Sequence, residues 1–368
     1  MKFTCNTALL NTAIMNVSLA VSPKSSLVAL EGILVEARGG RIRLVGYNLE
    51  LGITTGVDAR VWEEGEVVIP AKLFSEIVRK TNSDEIVVSC DSRFLVEIAG
   101  GVSHFTILGM SALEFPELPS VGDDASAVTL PQNKLRSMID QTLFAVATSD
   151  AKPVHTGCLF NLEQNRITVV AVDGFRLALR KETASIDSPM SFIVPGKTLG
   201  ELLKLLDDND KPLDIQVSKK HIMFTIGDCS IISRLLEGDF LDYNAAIPKE
   251  CNTQVLIGTR SLIASIERTS LLISDRLKSP LKVDFSDNVV KMSCSTTIGK
   301  AYDECDCQIT GNGVEMGFNN RYLMDALKNA DTDMVRLEIG GPLSPMKVVP
   351  PQGDSFLFLV LPMRLKSE

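Results

Sequence analysis

"VIPAKLFSEIVRK", residues Val68 to Lys80, reads as a short strand running through a proline into an amphipathic helix. The cadence returns as "FIVPGKTLGELLKLL" from Phe192 and, altered, as "MGFNNRYLMDALKNA" from Met316. One phrase written three times, about 125 residues apart, marks a chain of repeated modules. Shifted by 125 positions without a gap, Leu10 falls on Leu135, Ile14 on Ile139, Gly32 on Gly157 and Leu34 on Leu159. Pro70, Lys72, Glu76 and Phe115 then fall on Pro195, Lys197, Glu201 and Phe240, so apolar positions and turn signals read as staying in phase over 2–120 and 127–245. The third copy is looser: Asn319, Asp325, Leu327 and Lys328 take the places of Pro195, Glu201, Leu203 and Lys204 at a shift of 124.

The linkers set the boundaries. "ELPSVGDDASAV" (117–128) and "AAIPKECNTQV" (245–255) are rich in Pro, Gly, Asp, Ser and Asn, which gives modules 1–120, 127–248 and 250–368. Each reads as a strand, a helix and three antiparallel strands, written twice. The fold expected is α+β, with two helices per module on antiparallel sheets. The helices are predicted over 6–21, 70–81, 132–149, 195–206, 259–273 and 319–330.

Composition narrows the function. A chain of 368 residues with 45% hydrophobic and 23% charged residues is a globular protein of two or three cores. No apolar run approaches 18 residues, and Asn6, Asn11 and Asn16 break the N-terminal one, so neither a spanning helix nor a signal peptide is read there; the expected location is the cytoplasm. Eight Cys lack zinc-ligand spacing, since Cys305-x-Cys307 has no second pair or nearby His, and they read as reduced core thiols. No Walker A loop, G-x-S-x-G, HExxH or G-x-G-x-x-G is present, and His104, His155 and His221 stand singly. Asp173-Gly174 reads as a turn between strands, with no second carboxylate spaced to share a metal. The chain reads as a binding scaffold without metal or cofactor.

Net charge is −9, yet five of the six predicted helices are net basic and the first is uncharged. Two readings stay open. Cations favour helix C-termini, which accounts for Arg79, Lys80, Lys204 and Lys328. Alternatively, basic helices on an acidic body face a polyanion. The helices offer only Phe74, Phe144 and Tyr322 as aromatics, so any nucleic-acid contact would be to the backbone. At the C-terminus, "SFLFLVLPMRLKSE" is a strand apolar on both faces, stopped by Pro362; it is either simply buried, or its Met and Leu help line a pliable groove.

The triplication, "VDGFRLA" (172–178... of the sequence "VAVDGFRLALRK"), "GPLSP" (341–345) and the terminal "LVLPMRL" together resemble the bacterial DNA polymerase III beta subunit family, the sliding clamps, over the whole chain. The resemblance implies three tandem DNA-clamp domains closing into a ring as a head-to-tail homodimer. Duplex DNA would thread the ring, contacted through its backbone without sequence preference. The partner-peptide groove it implies comprises His155, Val172, Gly174, Phe175, Arg176, Leu177, Leu241, Ala246, Leu343, Pro345, Val360, Leu361, Pro362, Met363, Arg364 and Leu365. Partners implied there are the DNA polymerase III alpha subunit, the clamp loader and other proteins carrying a short clamp-binding motif, with no membrane. Lys24 and Lys152 match DNA-touching positions, with Arg79 and Lys197 as additions. Phe105 and Ile107 would meet Leu272 and Ile273 of a second chain. Phe175 stands where relatives often carry His, Asn244-Ala245-Ala246 lacks a common basic residue, and the first helix lacks a Lys that some place there. The other readings are a clamp-fold recruitment scaffold with no DNA role, and an enzyme using Asp173 or His155 in an interdomain cleft.

Overall fold

The computed structural model describes residues 1–122, 125–149, 151–186, 188–274 and 279–365. Among them are helices α1 (Thr7–Ser18), α2 (Ala71–Lys80), α3 (Gln132–Leu143), α4 (Gly196–Leu203), α5 (Tyr243–Ala246), α6 (Thr259–Thr269) and α7 (Asn320–Lys328). Six coincide with the predicted helices but end up to six residues sooner, most of them in turns and α6 in a 3-10 turn, Ser270–Leu272. The four-residue α5 runs into what reads as linker; the Asp242 carboxylate accepts from the N–H groups of Asn244 and Ala245 and so starts it. Caps also explain the altered third phrase. Asn319 stands where Pro70 and Pro195 do, and its side chain accepts the Arg321 N–H at 2.9 Å.

The chain forms two compact units: Met1–Asn133 with Gly200–Leu235, and Lys134–Leu199 with Leu236–Glu368. The division cuts through the middle repeat because its strands complete its neighbours' sheets. In the first unit, Cys229–Arg234 pairs antiparallel with Leu51–Asp58, joining an eight-stranded sheet that ends at Gly65–Pro70. In the second, Arg176–Thr183 pairs antiparallel with Phe356–Val360 inside a nine-stranded sheet. Each unit carries one further sheet, five-stranded in the first and four-stranded in the second. Helices α1 and α2 pack on each other in the first unit, burying Leu10, Ile14, Val17, Phe74 and Val78; α6 and α7 do likewise in the second, burying Leu262, Ile266, Leu323 and Leu327.

Two details differ from the sequence reading. "LGITTGVDARV" is two strands, Leu51–Asp58 and Arg60–Glu63, which belong to different sheets of the unit with a bend at Ala59. Cys307 does the same between Gly299–Asp306 and Gln308–Gly311. The gap-free frame also slips: Glu85–Cys90 corresponds to Pro212–Val217, 127 positions on rather than 125. The connection after α4 is longer, and it is held where the Gln132 side-chain oxygen accepts the Asp207 N–H at 3.0 Å.

All eight thiols are free. Burial pushes the Cys5 and Cys158 thiols up to about 12 and Cys229 up to about 11. Since the thiolate is the reactive form, these three are expected to stay silent towards Ellman's reagent at about pH 8 in the folded protein and to react on denaturation. Fast native labelling of Cys158 would contradict its placement. Among the described residues, no helix is long and apolar enough to cross a membrane, and no cluster of His, Cys, Asp or Glu is arranged to hold a metal.

Candidate partner groove and nucleic-acid interface

The groove begins at the turn between Arg166–Val172 and Arg176–Thr183. Gly174 takes φ +91°, a conformation that side chains disfavour. Oδ1 of Asp173 accepts the N–H groups of Phe175 and Arg176 at 2.9 and 3.0 Å, while its Oδ2 accepts from Arg176 Nε at 2.9 Å. That carboxylate is therefore occupied in shaping the turn. Arg176 reaches on to Asp325 of α7 and lies over the Tyr322 ring at 4.7 Å and the Phe144 ring at 5.6 Å. Phe175, 58% exposed, stacks on Tyr322 with centroids 5.8 Å apart. Phe144, Tyr322 and Asp325 are absent from the sequence-derived groove; Tyr322 and Asp325 come from α7 and Phe144 from the turn that follows α3, all remote in the chain.

The terminal stretch is fastened on both sides. Val360 is fully buried and pairs with Arg176 and Met346. The Leu361 N–H donates to the Phe175 carbonyl at 3.0 Å, and two residues on the Met363 N–H donates to the Gly317 carbonyl at 2.7 Å. Pro362 and Met363 are half-buried between these anchors, Arg364 is exposed, and the Leu365 side chain lies against Gly317. Residues 366–368 of the predicted third module lie outside the described residues.

Between turn and tail runs an apolar floor. Leu159, Val170, Val172, Leu177, Leu179, Ile193 and Leu359 form a buried cluster, against which Val154, Leu236, Phe240, Leu241, Tyr243 and Ile247 pack half-buried. Val172, Leu177 and Leu241 of the predicted set are thus brought together. Val154, Phe240, Tyr243 and Ile247 join them, although only Phe240 carried a sequence signal, its match with Phe115. Ala246 is exposed on α5. Leu343, 73% exposed, and Pro345 sit in the loop before Met346–Val349.

His155 meets Phe240 edge-on, ring centroids 5.6 Å apart. Burial first, and the Lys152 charge second, hold its pKa below the usual value of 6.5. The unfolded chain therefore takes the proton first as pH falls, so this residue's share of stability is intact above about 6.5 and declines below it. His221 is shifted the same way. Thermal stability is expected to drop between about pH 7 and about pH 5.5, and His155→Gln to remove part of that slope. An unchanged slope in the variant would place His155 outside the effect.

Five cations on or beside the helices are paired and, among the described residues, the four predicted DNA-contact cations are not. Lys134 lies 4.0 Å from Glu182, Arg136 3.8 Å from Asp140, Lys204 2.7 Å from Glu201 and Lys328 3.0 Å from Glu267, and Arg268 pairs with Asp303. Internal pairing answers for these five, so a uniformly cationic set of helices is not what the fold contains. Lys24, Arg79, Lys152 and Lys197 are exposed and have no carboxylate within ion-pair distance among the described residues. Lys72 and Lys80 of α2 share that condition.

All four sheets finish in open edge strands, and two of these edges lie at or beside the predicted subunit-contact positions. Ser103–Leu108 ends the five-stranded sheet of the first unit and presents Phe105, 38% exposed, beside half-buried Ile107. Gly299–Asp306 ends the four-stranded sheet of the second. Leu272 and Ile273, half-buried, close the turn after α6, and Leu272 lies 3.5 Å from where a Cβ on Gly299 would stand.

Family profiles described as the DNA polymerase III beta subunit N-terminal, central and C-terminal domains match residues 1–119, 129–242 and 244–364. The beta sliding clamp of Staphylococcus aureus is 32% identical over 375 residues, covering 99% of each chain. The crystal structure of the DNA polymerase sliding clamp from Bacillus subtilis superposes with TM-score 0.96 at 30% identity, covering 100% of both chains. The Pseudomonas aeruginosa sliding clamp, solved bound to griselimycin, superposes with TM-score 0.95 at 28% identity over 99% of this chain and all of that one. With three clamp domains in tandem and relatives matched end to end, the chain belongs to the DNA polymerase III beta subunit family, and is a DNA sliding clamp that serves polymerase processivity as an accessory factor rather than an enzyme.

Proposed function

We propose that two copies of this chain close head to tail into a ring around duplex DNA in the cytoplasm, and that the ring carries its partners in the groove between the Asp173 turn and the C-terminal tail. The observation that carries the reading is that, of the edge strands that end all four sheets, Ser103–Leu108 of the first unit presents exposed Phe105 and Leu108 and Gly299–Asp306 of the second presents exposed Tyr302. A bare edge is a template for another strand, and two unlike edges on one chain suit a heterologous contact that closes on itself. Lys24, Arg79, Lys152 and Lys197 supply the cations for phosphates. Because such contacts read backbone and not bases, they hold the ring on DNA without fixing its position. Processivity is then topological.

The apolar floor with its Met363 and Leu361 border suits a short linear segment bearing Leu or Phe, as in the polymerase III alpha subunit, the clamp loader and other motif-bearing partners. Met at the border repacks readily, which suits a site that serves several of them. The test is retention on nicked circular DNA after loading. The protein is expected to stay with the circle in salt that strips free protein from the same DNA, and to leave within minutes of linearisation. Equal release from circle and linear DNA would defeat the ring and favour a recruitment scaffold.

A further inference from the structure

We propose that the first unit holds a second docking groove, distinct from the one at the tail, which takes an extended protein segment bearing Leu or Phe flanked by Lys or Arg. The internal repeat points to it. At a shift of 125, Leu34, Val45, Val68 and Phe115 correspond to Leu159, Val170, Ile193 and Phe240, the floor and wall of the tail groove. The corresponding place in the first unit is not filled in. A cavity of about 480 Å³ opens there, lined by Leu34, Val45, Leu113, Phe115, Glu117 and Leu118 among others, a size that suits a few side chains.

The two sites differ in ways that decide the occupant. Gly52 stands where the tail groove has Leu177, and Leu118 takes part of the room: a Cβ on Gly52 would lie 2.9 Å from the Leu118 Cδ2. Leu113, in the turn Ala112–Glu114, is 92% exposed at the mouth, an apolar side chain with nothing to pack on. Positions matching Lys152 and His155 hold Leu27 and Leu30, so this end of the first-unit groove carries no cation. Glu114 and Glu117, either side of Phe115, are exposed and have no ion-pair partner among the described residues. In the tail groove the matching residues are Asp239, also exposed, and Asp242, whose carboxylate is engaged in capping α5. Glu36 and Glu66 on the opposite wall are already paired, to Arg43 and Arg38. Glu117 is thus free, among the described residues, where Asp242 is engaged, and Lys152 has no counterpart. This acidic rim over an apolar floor favours a basic, Leu- or Phe-bearing strand more strongly than the tail groove does.

The test uses the full chain with its tail groove saturated by an unlabelled tail-groove peptide, and a fluorescein-labelled hexapeptide, Lys-Leu-Lys-Leu-Phe-Lys, in polarisation titrations. Glu114→Lys with Glu117→Lys is expected to weaken its binding about tenfold or more, and Leu113→Ser about threefold. All three positions are exposed, so folding is spared. The same variants should leave unchanged the affinity for the tail-groove peptide, and the hexapeptide should still bind while that peptide is in saturating excess. A version with Ser in place of Leu and Phe should bind at least tenfold less tightly. Three results would each overturn the proposal: charge reversal without effect, no binding once the tail groove is saturated, or equal binding of the Ser version, which would reduce the contact to general attraction towards an acidic protein.

Discussion

Replacing Phe105 and Ile107 together with aspartate is expected to turn a species of twice the 40.0 kDa chain mass into the single chain in sedimentation velocity. These side chains stand on the open strand Ser103–Leu108, opposite Ile98 and Val96 of the neighbouring strand. Burying a Phe or an Ile contributes about 1.5–3 kcal/mol each, and a carboxylate in its place adds the cost of an unpaired charge in a covered site. A loss of about 4 kcal/mol per contact corresponds to roughly a thousandfold in dissociation constant. A closed pair of chains has two such contacts, so the effect is felt twice. Because both residues are already part-exposed in the single chain, its own folding should change little. Retention of the double mass would remove the edge from the contact.

Deleting Arg364–Glu368 is expected to weaken peptide binding at the tail groove by about tenfold while leaving that double mass intact. The deletion removes Leu365, whose side chain fills the space above Gly317, and with it one side of the anchor that keeps Met363 in place. Gly317→Ala attacks the same point without shortening the chain. A Cβ there would stand 2.7 Å from the Met363 carbonyl oxygen and 2.8 Å from the Leu365 Cδ2, closer than side chains approach. The tail must lift, and peptide affinity should fall to a similar degree. The Leu361–Phe175 bond remains in both variants, so the strand Phe356–Val360 keeps its pairing and the thermal midpoint should move little. Unchanged affinity in a polarisation titration of either variant would show that Met363 and its neighbours do not border the occupied groove.

Much of this was readable before any coordinates. Pro70 and Pro195 before apolar residues at helical spacing mark α2 and α4, and Asn319 marks α7 once its capping role is seen. Those signals are local, so sequence carries them. What was not readable depends on contacts between distant positions. That Cys229–Arg234 would extend the sheet of Leu51–Asp58 is a matter of strand partnership, which period-2 alternation leaves undetermined. The family resemblance supplied Val172, Leu177 and Leu241; it did not supply Tyr322, Phe144 or Tyr243, which reach the site from α7, the turn after α3, and α5. Helix charge misled for the same reason. Lys134 and Arg268 look like free cations along the chain, but Glu182 and Asp303 lie 48 and 35 positions further on and neutralise them.

The sharing of sheets by adjacent repeats has a consequence for recombination. A chimera spliced at residues 117–128 would exchange a whole repeat by sequence, yet break the ladder in which Ile231 faces Ile53 and leave both ends with foreign neighbours. A fragment stopping there would expose the backbone of Leu51–Asp58 and invite aggregation. Shuffling between clamps should instead treat Cys229–Arg234 as cargo that travels with the N-terminal block, and Arg176–Thr183 as cargo that travels with the C-terminal one. The heritable parts and the interchangeable parts of this protein are not the same pieces.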